Sequence, residues 1–151
     1  MKHFLITLFI RQNKHHKHSV LIHTLLLFYY CLISGKFKFL TAALLHDIGK
    51  PFVAKLKKDN YNYSFTNHEE KSYQIIKNWF FISNYTKLIV RYHYIRRRIV
   101  KDKIKLDNGI TNNNGCEISE NSINILKETY NNLNIKRDLR LFGILDDKAK
   151  K

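Results

Sequence analysis

The segment Leu44-Leu45-His46-Asp47-Ile48-Gly49-Lys50-Pro51 sets an imidazole and a carboxylate side by side at the end of an apolar helical run. Successive side chains on a helix diverge by about 100°, so neighbours rarely reach one small target. The last turn, where the backbone unwinds, is one place where they can converge. Gly49 suits the left-handed C-cap position and Pro51 cannot continue the helix, so a helix is expected to stop here. His46 and Asp47 are good ligands for a divalent transition metal. Lys50 is a cation able to reach a phosphate held by the same ion. The alternative is a solvated helix end whose charges suit the helix dipole.

A chain of 151 residues suits one domain, here residues 1–151, and a composition that is 44% hydrophobic can build a core. With one Pro and five Gly, helices are favoured over a turn-rich β architecture. The expectation is an all-α bundle of about five to seven helices. A formal charge of +15 attracts phosphates and nucleic acid. The apolar stretches Phe4–Ile10 and Leu25–Ser34 are both too short to span a bilayer, and no membrane partner is expected. Cys31 in an apolar run and Cys116 in a polar loop form no C-x-x-C pair, which fits a reducing cytoplasm without disulfides.

Along the chain, residues 1–10 read as a short apolar helix or strand and Arg11–His18 as a polar connector. Ser19 caps a helix to about Ser34, broken by Gly35. Phe37–Asp47 reads as a second helix. Lys55–Thr66 is a polar loop in which Tyr61, Tyr63 and Phe65 alternate as in a short extended piece. Asn67 and Glu70 have the capping-box spacing for a third helix. Ser72, Ile75, Ile76, Trp79 and Phe80 form its apolar face. Ser83 or Asn84 starts a fourth helix to about Arg98, with Leu88, Ile89, Tyr92 and Ile95 inward. The Asn- and Lys-rich residues 101–115 read as an exposed loop. Ile118–Leu133 and Arg137–Ala149 are two more helices.

Several further residues bear on chemistry. His23 sits in the apolar run Val20–Leu32 as a neutral metal ligand or as a hydrogen-bonded core histidine. Leu139, Phe142 and Asp146 fall at i, i+3 and i+7, which puts Asp146 on an apolar face, while Asp147 shares a more solvated face with Arg140 and Gly143. His68 starts a helix, and His93 lies one turn from Ile89 and from Arg96–Arg97. The basic run from Arg91 through Arg96, Arg97 and Arg98 to Lys101, Lys103 and Lys105 is a solvated face or a ledge for nucleic-acid phosphates. Tyr92 and Tyr94 within it could stack on bases.

Ala43–Pro51 resembles the signature of the HD-domain metal-dependent phosphohydrolases, and the closest likeness is to the HD domain of bacterial tRNA nucleotidyltransferases, the CCA-adding enzymes. Gln12-Asn13, His16-Lys17, Val20 and His23-Thr24 resemble the opening of that domain. Phe65, His68 and Glu69 resemble its later F-x-x-H-E segment. The likeness covers about residues 12–98, with a weaker match at 139–149.

The resemblance implies an all-α HD domain in which His23, His46, Asp47 and Asp146 hold one divalent ion (Mn, Ni, Co, Fe or Mg). Asp147 is the rival for the last position, and the alternative for both acids is pairing with the Lys148, Lys150 and Lys151 tail. It further implies that His68 and His93 serve a second ion, or that His68, like His16, meets the substrate. Asp47, Lys50 and His68 would carry catalysis, and Lys50, Arg91, Arg96 and Arg97 would bind phosphate. The implied reaction is hydrolysis of phosphomonoesters or 2′,3′-cyclic phosphodiesters of nucleotides or RNA ends. Lys14, His15 and Ser19, where Pro-Tyr and Asp are usual, depart at substrate contacts and leave the ligands intact. No Gly-rich motif with paired acids for nucleotide addition occurs. The alternative reading is a non-catalytic, basic RNA-binding module on the same scaffold.

Overall fold

Ser19 starts the first helix as its hydroxyl requires. The side chain accepts the N–H of Ile22, and α1 runs Val20–Ile33 until Gly35 turns the chain at φ 64. The computed structural model describes residues 11–13, 16–56, 63–109 and 119–151. The expectations for residues 1–10, Lys14, His15, Tyr61 and Cys116 lie outside the described residues. The polar connector before α1 forms a two-stranded antiparallel pair, β1 (Arg11–Asn13) and β2 (His16–Ser19).

The expected second helix is divided. Phe37–Phe39 forms a tight 3-10 turn, α2 spans Leu40–Leu45, and His46 is its C-cap. A short α3 follows at Lys50–Val53, with Pro51 in its first turn, where a missing N–H is tolerated. β3 (Lys55–Leu56) pairs antiparallel with β4 (Tyr63–Ser64). Three helices complete the site's scaffold: α4 at His68–Ile76, α5 at Asn84–Tyr92 and α8 at Lys136–Lys148. Between α5 and α8 lie α6 (Ile95–Asp107) and α7 (Glu120–Asn132). The fold is all-α, with six described helices of nine residues or more. No helix among the described residues is long and apolar enough to cross a membrane.

The described residues divide into two compact units: those up to His93 together with Leu139–Lys151, and those of Tyr94–Asp138. In the first, α1 packs on α2, and α4 packs on both α3 and α5. Leu27, Cys31, Phe39, Ala43, Ile76, Ile89 and Phe142 are buried there. Burial pushes the Cys31 thiol up to about 11, which makes it an inert packing group. In the second unit α6 packs against α7.

Several expectations are corrected. Residues 101–107 belong to a helix, because Ile95, Ile99 and Leu106 form a sparse stripe at helical spacing within a lysine-rich segment. The fourth helix stops at Tyr92, and Leu88 points outward while Val90 is buried. Asn67 does not cap α4 through its side chain, because its backbone is left-handed at φ 61. Glu70 instead accepts from Arg91 at 2.9 Å and Gln74 at 2.7 Å. α4 ends at Ile76, so Phe80 leaves the apolar face and is exposed.

Gly49 is right-handed at φ −78, against the expected left-handed cap. It is required for close approach: a Cβ there would lie 2.5 Å from the Ser72 amide and 2.6 Å from the His68 carbonyl. Ser72 fastens this contact, accepting the Gly49 N–H at 2.9 Å and donating to the His46 carbonyl at 2.7 Å. Gly49→Ala is therefore expected to lower unfolding stability by about 1–3 kcal/mol in urea titration. Gly143→Ala, where an added Cβ meets nothing within 4 Å, should raise it by about 0.5–1 kcal/mol through helix propensity.

Candidate metal centre

Helix ends build the site. His46 and Asp47 close α2, His68 opens α4, His93 follows the last residue of α5, His23 lies in the first turn of α1, and Asp146 lies near the end of α8. All six side chains are buried. The convergence of the adjacent pair depends on the tight turn after α2, closed by Ile48 N–H to the Leu45 carbonyl and Lys50 N–H to the Asp47 carbonyl.

Each of the four imidazoles points Nδ1 at a backbone carbonyl. His46 reaches Ala43 at 2.8 Å, His68 reaches Phe65 at 2.8 Å, His93 reaches Val90 at 2.7 Å and His23 reaches Ala149 at 3.3 Å. A carbonyl can only accept, so Nδ1 carries the hydrogen, and in the neutral ring Nε2 keeps its lone pair. The Nε2 atoms turn inward toward the carboxylates. Such outer hydrogen bonds are the usual means of orienting a metal-binding histidine.

Around one point, His23 Nε2 lies 3.3 Å from His46 Nε2 and 2.9 Å from Asp146 Oδ1. Asp47 Oδ2 lies 3.1 Å from His46 Nε2 and 3.6 Å from His23 Nε2, and Asp146 Oδ1 is 3.7 Å from His46 Nε2. Ligands bound at 2.0–2.2 Å would be separated by about 3.0–3.5 Å, so these edges fit a single ion. The other Asp47 oxygen, Oδ1, faces His68 Nε2 at 3.4 Å and His93 Nε2 at 4.0 Å. Two overlapping groups, His23–His46–Asp47 and Asp47–His68–His93, could thus each hold a metal ion, with Asp47 common to both.

Asp47 is the strongest local sign of a bound cation. Both its oxygens are buried without a well-aligned hydrogen-bond donor, although Lys50 Nζ lies 2.6 Å from Oδ2. Burial alone would raise its pKa. Favourable interactions with His46, Lys50 and His68 outweigh that and hold the carboxyl well below the usual range. Burial pushes His68 down, against the pull of Asp47, and pushes His93 well down with help from His46 and His68. Neutral imidazoles with inward lone pairs are the form that ligates metal.

Asp147 is at the surface, its Oδ1 3.2 Å from Lys150 Nζ, while the same ammonium lies 2.6 Å from Asp146 Oδ2. Lys150 thereby orients Asp146 with Oδ1 toward the histidines. Lys50 is buried against Asp47 and lies over the Phe65 ring. Arg91 pairs with Glu70 and lies over Tyr73. Arg96 is exposed and Arg97 lies over Tyr94, both within the Tyr94–Asp138 unit. The pairing of both acids with the lysine tail holds for Lys150, whereas the roles of Ser72 and of Glu69, whose Oε2 is 3.2 Å from His68 Nδ1, were missed. The hydroxyl of Ser72 within an apolar stripe was the one available signal.

Two measurements test this geometry. Unfolded, the imidazoles of His68 and His93 protonate near 6.5. Below that value the unfolded chain binds more protons than the folded one, so metal-free stability should fall from pH 7 to pH 5. Each group contributes at most about 1.4 kcal/mol per pH unit. Asp47 adds no slope in that window, being ionised in both states until the pH nears 3.8. In calorimetric titration with Mn²⁺, Asp146→Asn should weaken binding at least about 100-fold, and Asp147→Asn should leave it near wild type.

Comparison with family models matches residues 13–126 to the HD domain. The matched span contains His23, His46, Asp47, His68 and His93 and stops short of Asp146. No curated protein matches the chain. With the match covering most of the sequence and the His-Asp cluster at its centre, this chain belongs to the HD domain family, a superfamily of metal-dependent phosphohydrolases.

Proposed function

We propose that this protein hydrolyses phosphomonoesters or 2′,3′-cyclic phosphodiesters of nucleotides or RNA ends. The observation that carries the reading is the set of four buried imidazoles, each oriented by a backbone carbonyl and turned lone pair inward on Asp47 and Asp146. His23, His46, Asp47 and Asp146 would hold a divalent ion, and Asp47, His68 and His93 would hold a second. When bound, such an ion supplies water acidified to near neutrality and positive charge for the phosphoryl oxygens.

The chain's own residues do the rest. Asp47, held ionised, offers a charged carboxylate that would hold the ions and orient the nucleophile. Lys50 stands 2.6 Å from Asp47, and a short swing of its ammonium brings it to the oxygens of an incoming phosphate. His68, neutral at working pH, acts through its lone pair as ligand or base and carries no charge to the substrate. Arg91, in the unit that carries the cluster, offers a forked donor suited to phosphate, and Arg96 and Arg97 of the other unit offer forks suited to an RNA backbone. The likeness of Gln12-Asn13, His16-Lys17 and His23-Thr24 to the HD domain of CCA-adding enzymes supports an RNA-end or nucleotide substrate, and with it a cytoplasmic setting.

The purified chain, supplied with Mn²⁺, Ni²⁺ or Co²⁺, is expected to turn over p-nitrophenyl phosphate or 2′,3′-cyclic nucleotides. Asp47→Ala should abolish that turnover, and Lys50→Met should lower kcat by about 100-fold. RNA binding without turnover under any of these ions would refute the enzyme and favour the RNA-binding module that the +15 charge also allows.

A further inference from the structure

Four of the helices that carry the cluster have one end on it. α2 and α5 finish at His46 and His93, α4 begins at His68, and α1 carries His23 in its first turn. Their other ends, about 13 Å away for a nine-residue helix, form the opposite pole. The three most exposed large apolar side chains among the described residues lie there. Phe80 is 96% exposed, Phe81 65%, Phe37 64% and Ile33 57%. Lys38 joins the two segments that carry them, its Nζ 5.3 Å from the Phe39 ring centroid and 6.0 Å from that of Tyr85.

The charge at this pole has one sign. Residues 33–40 and 76–87 contain Lys36, Lys38, Lys77 and Lys87 and no acid. No Asp or Glu occurs anywhere before Asp47, or between Glu70 and Asp102. An apolar tip whose own segments carry four lysines and no acid repels a second copy of a +15 chain. It complements a negatively charged lipid surface, where aromatic rings lodge at headgroup depth and each nearby lysine adds attraction. Nucleic acid is less well served. Trp79 and Phe81 already stack on each other, with 25° between their planes, and Phe80 meets Phe81 edge-on.

We propose that this pole docks on an anionic bilayer, with Phe80, Phe81, Phe37 and Ile33 entering the interface and the lysines contacting headgroups. Docking there leaves the His-Asp end facing solvent. The chain rests on the membrane without spanning it, so short apolar stretches are no obstacle. This revises the expectation of no membrane partner and does not depend on the metal reading.

The test uses the full chain with vesicles of phosphatidylglycerol and phosphatidylcholine, against pure phosphatidylcholine. Trp79, the only tryptophan, sits beside Phe80 and serves as the reporter. The expected result is co-sedimentation and a blue shift of Trp79 emission with the anionic vesicles, weakened by salt. Phe80→Ser/Phe81→Ser should lower partitioning about tenfold or more, with the thermal midpoint and oligomeric state unchanged. The separate pair Lys36→Gln/Lys77→Gln should weaken it several-fold, without disturbing the aromatic tip. The proposal is overturned if anionic vesicles bind no better than neutral ones, or if the double Ser variant binds them as well as wild type does. It is equally overturned if single-stranded RNA displaces the vesicles by occupying Trp79, or if wild type is a dimer that the Ser variant dissolves.

Discussion

Asp47 is the hinge of this structure's chemistry. A buried carboxylate faces two imidazoles with one oxygen and two more with the other, and burial on its own would drive it to protonate. It stays ionised because cationic and polarised groups surround it, Lys50 closest of all. The same arrangement explains why four helices must end or begin here. A helix terminus offers unsatisfied carbonyls and a backbone free to turn, and three of the four imidazoles are oriented by the carbonyl three residues earlier.

The hydrophobic core serves as the platform beneath this charge. Phe142 packs edge-on against Phe39 at 5.6 Å and against His46 at 5.7 Å, so the ring that anchors α8 also buttresses the metal-facing imidazole. Gly49 and Ser72 add a second brace from α4. Packing and polar orientation are therefore carried by the same few residues, and a volume change at Phe142 or Gly49 would reach the ligands directly.

Much of this was legible in the chain itself. Ser19 and Ser83 announce helix starts because a hydroxyl at an N-cap has one obvious backbone partner, and both make that bond. The 139–142–146 spacing put Asp146 on the buried face because a long helix keeps its phase. What escaped was non-local or sparse. Gly49 looked like a cap, since nothing in the sequence says that α4 passes within van der Waals reach. α6 was hidden by lysines because its stripe has few apolar positions. Ser72 read as part of an apolar face, its role being set by a turn over twenty positions away.

Asp146 comes from the far end of the sequence to sit 2.9 Å from His23, and the carbonyl of Ala149 holds the same imidazole from behind. A cation gripped from both sides would act as a clasp between the first and last helices of the described chain. Fraying of α8 would then require giving up coordination, so its amides would exchange with solvent far more slowly in the loaded protein than in the empty one.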